Sequence, residues 1–282
     1  MRKLLAGAPV AEAMSERLLK ETAQLRVAGV FPKLAIVRVG ERPDDLSYER
    51  AILKRMSKLG IDVEVVALPE DVSQDDVEAR LAQANEDPAT HGILVFRPLP
   101  EHLDEARIRR AIDPSKDVDG MSPQNEGLLF EGDERAFAPC TAQAVVEMFD
   151  HYRGGLRGRR VVVLGRSMVV GRPVAMLLLA RDATVTICHS RTKDLADRCR
   201  EADILVCAIG RARYVTADMV SPDAVVIDVG INVDASGELV GDVDYEAVSE
   251  LAASITPVPG GVGSVTTSVL ADHVIRAARA IG

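Results

Sequence analysis

The 282-residue chain has no tryptophan and only 3% aromatic residues, too few rings for a platform that stacks single-stranded nucleic acid. It also lacks a basic surplus. A formal net charge of −9 argues against nonspecific attraction to nucleic acid, and an anionic ligand must be met by local basic groups. No stretch approaches the roughly 18–20 apolar residues of a membrane span. The opening MRKLLAGAPVAEAM has a basic start, but its apolar run is too short for a signal peptide and Glu12 interrupts it. The four cysteines, Cys140, Cys188, Cys199 and Cys207, show no CxxC or metal-ligand spacing, so no metal is expected. They read as reduced, buried thiols of a cytoplasmic protein. Repeats of 20–50 residues and low-complexity tracts are likewise missing.

What is present is an alternation of helices and short apolar strands, which indicates α/β architecture with mainly parallel sheets and crossover helices. The length suits two such domains. A helix is expected over about 9–28, then a strand in KLAIVRV closed by Gly40. SYERAILKRMSKLGI follows as an amphipathic helix, with Tyr48, Ile52, Leu53, Met56 and Leu59 at helical spacing and Gly60 as its C-cap. DVEVVAL, a helix near 73–85 and HGILVF complete the first half. IDPSKDVDGMSPQN and LLFEGDERAFAPC read as irregular, and the domain change is placed there. From Thr141 a helix runs to about Tyr152. RRVVVLG, ATVTICH, ILVCAIG and AVVIDVG then follow as buried strands, the pattern of a Rossmann-type dinucleotide-binding domain.

In VVVLGRSMVVGRPVAMLLL, Gly165 permits a tight turn, Gly171 a close approach at the helix start, and Pro173 fits the first helical turn. The helix N-terminus would offer free N–H groups to a pyrophosphate. The spacing G-x-x-x-x-x-G departs from G-x-G-x-x-G, so alone it fits a nucleotide site or a plain βα turn. The second strand ends ICHSRTKDL, with His189, Ser190 and Arg191 where an NAD-preferring fold carries an acid. With Arg166 in the glycine turn, these hydroxyl and guanidinium groups suit a 2′-phosphate and favour NADP over NAD. The other readings are that the arginines are solvated surface charges and that His189 is a surface histidine or a weak phosphate contact.

DVDGMSPQNEG, VVVLGRSMVVGRP and ITPVPGGVGSVTTSVL, supported by KDVDG and GILVFRPLP, resemble the methylenetetrahydrofolate dehydrogenase/cyclohydrolase family nearly end to end. The resemblance implies two domains with a cleft between them. Residues 1–138, completed by a C-terminal helix over 266–282, would form the folate-binding catalytic domain, and 139–265 the NADP-binding domain. It implies a cytoplasmic homodimer in one-carbon metabolism and purine biosynthesis, acting on tetrahydrofolate with NADP as cofactor. Tyr48 matches the tyrosine that packs on the folate rings and Asp119 the aspartate that hydrogen-bonds the pterin end. Pro257, Gly260 and Gly261 match the loop that closes over folate and nicotinamide. Arg166 and Ser190 match 2′-phosphate contacts, while Thr141, Ser167 and Ile231 match positions near the cofactor.

Two departures bear on chemistry. The family's catalytic lysine falls at Ile52, and the glutamine of its GILVQLPLP strand end falls at Phe96, followed by Arg97. PDDLSY in place of PASQSY and Ser264 in place of proline are smaller ones. Hydride loss from a carbon flanked by two nitrogens needs no protein acid or base, whereas hydrolysis needs a proton carrier, for which Ile52 and Phe96 are unsuited. Lys54 lies about 200° around the helix, and Arg97 could polarise water but not shuttle a proton. The expected function is NADP-dependent oxidation of 5,10-methylenetetrahydrofolate with weak or lost cyclohydrolase. The alternatives are the full bifunctional enzyme and a silent folate- or nucleotide-binding protein.

Overall fold

The computed structural model describes residues 3–281. In chain order the elements are β1 (Lys3–Leu4), α1 (Gly7–Val27), β2 (Lys33–Val39), α2 (Pro43–Leu59), β3 (Asp62–Leu68), α3 (Gln74–Glu86), β4 (Gly92–Val95), α4 (Glu105–Ala111), α5 (Pro123–Glu131) and α6 (Cys140–Tyr152). They continue as β5 (Arg160–Leu164), α7 (Gly171–Leu179), β6 (Thr184–Cys188), α8 (Leu195–Arg200), β7 (Ile204–Cys207), β8 (Val225–Asp228), β9 (Asn232–Val233), β10 (Leu239–Val240), α9 (Tyr245–Ser249), β11 (Ser254–Ile255) and α10 (Gly263–Ile281). No helix among the described residues is long and apolar enough to cross a membrane.

The chain forms two compact units. One holds residues 13–140 and 267–281, the other residues 3–12 together with 141–266. The first unit carries a parallel sheet in the order β3-β2-β4. Its central strand is the apolar run KLAIVRV, and the one charge in its buried part, Arg38, is answered by Glu49 of α2 at 2.8 Å. Val37, Val77, Leu81, Ile93 and Ile108 pack one core beside this sheet. Parallel strands covered by helices read as continuous apolar runs rather than alternating ones, which is why β2 and β4 show in the sequence, while β3 at the edge is half exposed.

The second unit carries six parallel strands in the order β1-β11-β8-β7-β5-β6. β9 and β10 pair antiparallel as a small separate ribbon. Residues 3–12 group with this unit, although the sequence reading sets them with the first domain. Lys3–Leu4 pair with Ser254–Ile255, and the Gly7 N–H donates to the Gly260 carbonyl at 2.8 Å.

The segment read as irregular contains α5. Ser122 caps it by accepting the Asn125 N–H at 3.3 Å, Pro123 occupies the first turn, and Gly132 ends it in the left-handed region at φ 73°. These are ordinary helix start and stop residues, masked in the sequence by a neighbourhood rich in Asp and Pro. Among the described residues no cluster of His, Cys, Asp or Glu could hold a metal ion.

Candidate active site

In the first unit α2 opens with Pro43 and the acids Asp44 and Asp45, favourable to the helix dipole, and closes at Gly60, left-handed at φ 72°. Its apolar stripe of Ile52, Met56 and Leu59 is buried, and Lys54 and Lys58 stand on the exposed side. Ile52 is 0% exposed and offers no group to a substrate. Tyr48, one turn before it, is partly exposed. Its ring meets Phe96, which follows β4, at a centroid distance of 5.5 Å and a tilt of 35°. Burial raises the Tyr48 hydroxyl well above its usual pKa, helped by Cys140 and Asp119 beside it.

Asp119 rides on a turn that Asp117 locks. Asp117 is 0% exposed and accepts the backbone N–H groups of Met121 at 3.0 Å and Ser122 at 2.7 Å and the Asn125 amide at 2.9 Å. Gly120 sits at φ 60° with the Phe137 carbonyl 2.1 Å from where a Cβ would stand, so only glycine fits there. The Asp119 carboxylate accepts the Cys140 N–H at 3.2 Å and faces the Arg97 guanidinium at 3.4 Å. Burial pushes the Asp119 carboxyl up, opposed chiefly by Arg97. Arg97, weighed in the sequence as a group that could polarise water, is thus occupied by a carboxylate.

In the second unit β5 runs into Gly165, where a Cβ would lie 2.2 Å from the Ala208 carbonyl. At Gly171 a Cβ would lie 2.4 Å from the Gly165 carbonyl. The turn therefore closes tightly between β5 and α7 only because both are glycines. Ser167 Oγ accepts the N–H groups of Val170 at 3.1 Å and Gly171 at 3.4 Å, ordering the start of α7. Beside this turn lies a pocket of about 310 Å³ lined by Gly165, Arg166, Ser167, His189 and Ser190, and also by Arg211 and Tyr214. The sequence reading missed the last two. The Arg211 guanidinium lies 5.1 Å from the Tyr214 ring centroid, and an arginine three residues before a tyrosine was the available signal. Arg191 is exposed outside that lining, and its backbone N–H donates to His189 Nδ1 at 3.2 Å. Thr141 stands in the first turn of α6.

Two buried aspartates tie the loops of this unit together. Asp242 accepts the consecutive N–H groups of Ile209, Gly210 and Arg211 at 2.7, 3.1 and 2.8 Å, holding the far wall of the pocket. Asp228 accepts those of Gly230, Asp242 and Val243 at 3.0, 3.0 and 2.9 Å. Close by, Ile231, Pro257, Gly260 and Gly261 line a second pocket of about 200 Å³. The start of α1 crowds that loop, since a Cβ on Gly7 would sit 2.1 Å from the Gly261 carbonyl.

Burial pushes the Asp228 carboxyl up to about 6, against the pull of its N–H partners. The folded state therefore keeps this proton to higher pH than the unfolded chain, whose carboxyl titrates near ~3.9. The stability this group contributes is full below about pH 4 and is lost as pH rises through about 6, roughly 3 kcal/mol in all. Urea unfolding of Asp228→Asn against the parent is expected to show the variant gaining relative stability from pH 4 to 7. A difference independent of pH would contradict the shift.

The second unit fits a phosphorylated dinucleotide on its own geometry. The glycine turn leaves an open pocket at a helix start, Arg166 and Ser190 line it, and among the described residues no carboxylate pairs with Arg166.

Residues 139–281 match the family model for the NAD(P)-binding domain of tetrahydrofolate dehydrogenase/cyclohydrolase, and residues 5–119 match the model for its catalytic domain. The chain is 55% identical to the bifunctional protein FolD of Alkaliphilus oremlandii (strain OhILAs), over 99% of this chain and 98% of that one. A crystal structure of the bifunctional FolD methylenetetrahydrofolate dehydrogenase/cyclohydrolase from Campylobacter jejuni is similar at a TM-score of 0.97 and 39% identity, covering 99% of each chain. The Trypanosoma brucei methylenetetrahydrofolate dehydrogenase-cyclohydrolase, solved with NADP cofactor and inhibitor, is similar at 0.93 and 38%, covering 99% of this chain and 98% of that one.

Proposed function

The chain belongs to the tetrahydrofolate dehydrogenase/cyclohydrolase family, and from that premise we propose that it oxidises 5,10-methylenetetrahydrofolate to the 5,10-methenyl cation with NADP, and hydrolyses that cation slowly or not at all. The observation that carries the second half is the pair Ile52 and Phe96. One is wholly buried and the other is packed on Tyr48, and neither can donate, accept or relay a proton.

In this reading Tyr48 packs on the folate rings and Asp119 accepts hydrogen bonds from the pterin edge. Pro257, Gly260 and Gly261 form a further substrate-binding loop. Arg166 and Ser190 hold the 2′-phosphate, with Arg191 at its outer side. Gly165, Ser167 and Gly171 shape the pyrophosphate turn, and Thr141 and Ile231 flank the nicotinamide end. NADP, when bound, supplies the hydride acceptor. The chain's own task is to hold the methylene carbon at near-attack distance, since the substrate's ring nitrogen stabilises the cation as the hydride leaves.

We place this activity in one-carbon metabolism in the cytoplasm, which agrees with four free, buried cysteines. A homodimer is part of the same proposal. The strand β6 ends the six-stranded sheet, and Ile187 on it and Leu179 before it are exposed, an edge that another chain could cover.

The second reading, retention of both activities, is favoured by the name of the relative at 55% identity. One time course separates the two. With methylenetetrahydrofolate and NADP, near-ultraviolet absorbance is expected to show NADPH and methenyltetrahydrofolate accumulating together, the latter then decaying at its spontaneous rate. Decay faster than that rate would establish the bifunctional reading, and no NADPH at all would leave a binding protein.

A further inference from the structure

The folate-site carboxylate has an unusual neighbourhood. Asp119 is flanked by Asp117 on its own turn, by the Cys140 thiol of α6 and by the Tyr48 hydroxyl of α2. None of these is a cation, and burial lifts both the thiol and the hydroxyl well above their usual pKa values, so each stays neutral. The cation that faces Asp119 comes from the end of β4. Arg97 Nη2 lies 3.4 Å from Asp119 Oδ2, and its Nη1 lies 3.8 Å from Glu105 Oε1. The Arg97 and Asp119 side chains are 18% and 20% exposed, so water screens the pair only partly, while Glu105 at 44% is the wetter, outer partner.

We infer that Arg97 is a positioning residue that sets folate affinity, holding Asp119 as an oriented anion so that both carboxylate oxygens can accept from a ligand edge presenting two N–H donors. This rests on the reading of Asp119 as the pterin partner. The division of labour follows from the atoms. Oδ1 is fixed by the Cys140 N–H and Oδ2 by the guanidinium, and each oxygen keeps a lone pair for the ligand. A protonated Asp119 would put a donor against a donor. Burial favours that neutral state, and Arg97 is the main group opposing it. The Arg97 guanidinium is itself engaged by two carboxylates, which occupies it and keeps it from acting on water.

The test uses the full chain and steady-state dehydrogenase kinetics across pH, with Arg97→Leu, Arg97→Lys and Asp119→Asn in parallel. Arg97→Leu is expected to raise KM for methylenetetrahydrofolate about tenfold, with a smaller fall in kcat and an unchanged KM for NADP. The acid limb of kcat/KM is expected to move to higher pH, because the carboxyl loses the cation that opposed its protonation. Arg97→Lys should return the limb most of the way, which a purely structural role would not require. If Asp119→Asn raises the folate KM while Arg97→Leu moves neither KM nor the limb, the inference falls and the reading of Asp119 stands. If Asp119→Asn leaves the folate KM unchanged, the reading of Asp119 fails and the inference with it.

Discussion

Exchanging Ile52 for lysine and Phe96 for glutamine in one chain is expected to raise methenyltetrahydrofolate hydrolysis about 10²-fold, the lower end of what a positioned proton carrier contributes. The two changes complement each other because their sites are unlike. Position 52 is wholly buried on α2, so a lysine there is poorly solvated and its pKa is pulled down. A lysine that sheds its proton near neutral pH can both take and return one, as the addition of water and opening of the ring demand. Position 96 is where the ring of Phe96 meets Tyr48. Glutamine there would give the new amine a hydrogen-bond partner in place of an apolar face. Ile52→Lys alone leaves a buried amine without that partner and is expected to cost roughly 3–5 kcal/mol of stability for little gain in rate. The measurement is the decay of methenyl absorbance above the spontaneous rate, beside a thermal melt of each variant. A folded double variant with no added hydrolysis would mean that the shape of the surrounding wall, rather than these two side chains, withholds the activity.

The second large effect is expected at Arg166. Replacing it with alanine should raise KM for NADP about 10- to 100-fold, since hydrogen bonds to a charged group contribute about 1.5–3 kcal/mol and each 1.4 kcal/mol is a factor of ten. The KM for NAD, which has no 2′-phosphate, should stay where it is. Arg166 is exposed, so the change leaves no hole in a core. Its companion Ser190 lines the same pocket and keeps part of the preference, which sets the upper end of the range. An equal rise for both cofactors would show that Arg166 shapes the glycine turn rather than reading the phosphate.

What the sequence disclosed about this molecule followed periodicity. Strands buried on both faces, such as KLAIVRV and VVVL, stand out as apolar runs. Helix α2 stands out because its buried stripe repeats every turn and a glycine ends it. The glycine turn was legible because two glycines must be glycines there. The two-residue strands β1, β9, β10 and β11 carry no period to detect, and their pairing is decided by partners far along the chain. The same limit applies to the site. Tyr48, Asp119 and Ser190 came from motifs. The face-off of Arg97 with Asp119 spans 22 residues, and the clamp of Asp242 on three successive amides spans 31 to 33, so both needed the folded chain to be seen.

The buried sulfur atoms have a practical use. Cys140 lies in the first unit, while Cys188, Cys199 and Cys207 lie in the second. Burial holds every one of these thiols above its ordinary value, Cys199 at about 12. An alkylating dye thus finds nothing to react with until a unit opens, and peptide mapping of the label would tell which of the two opened first.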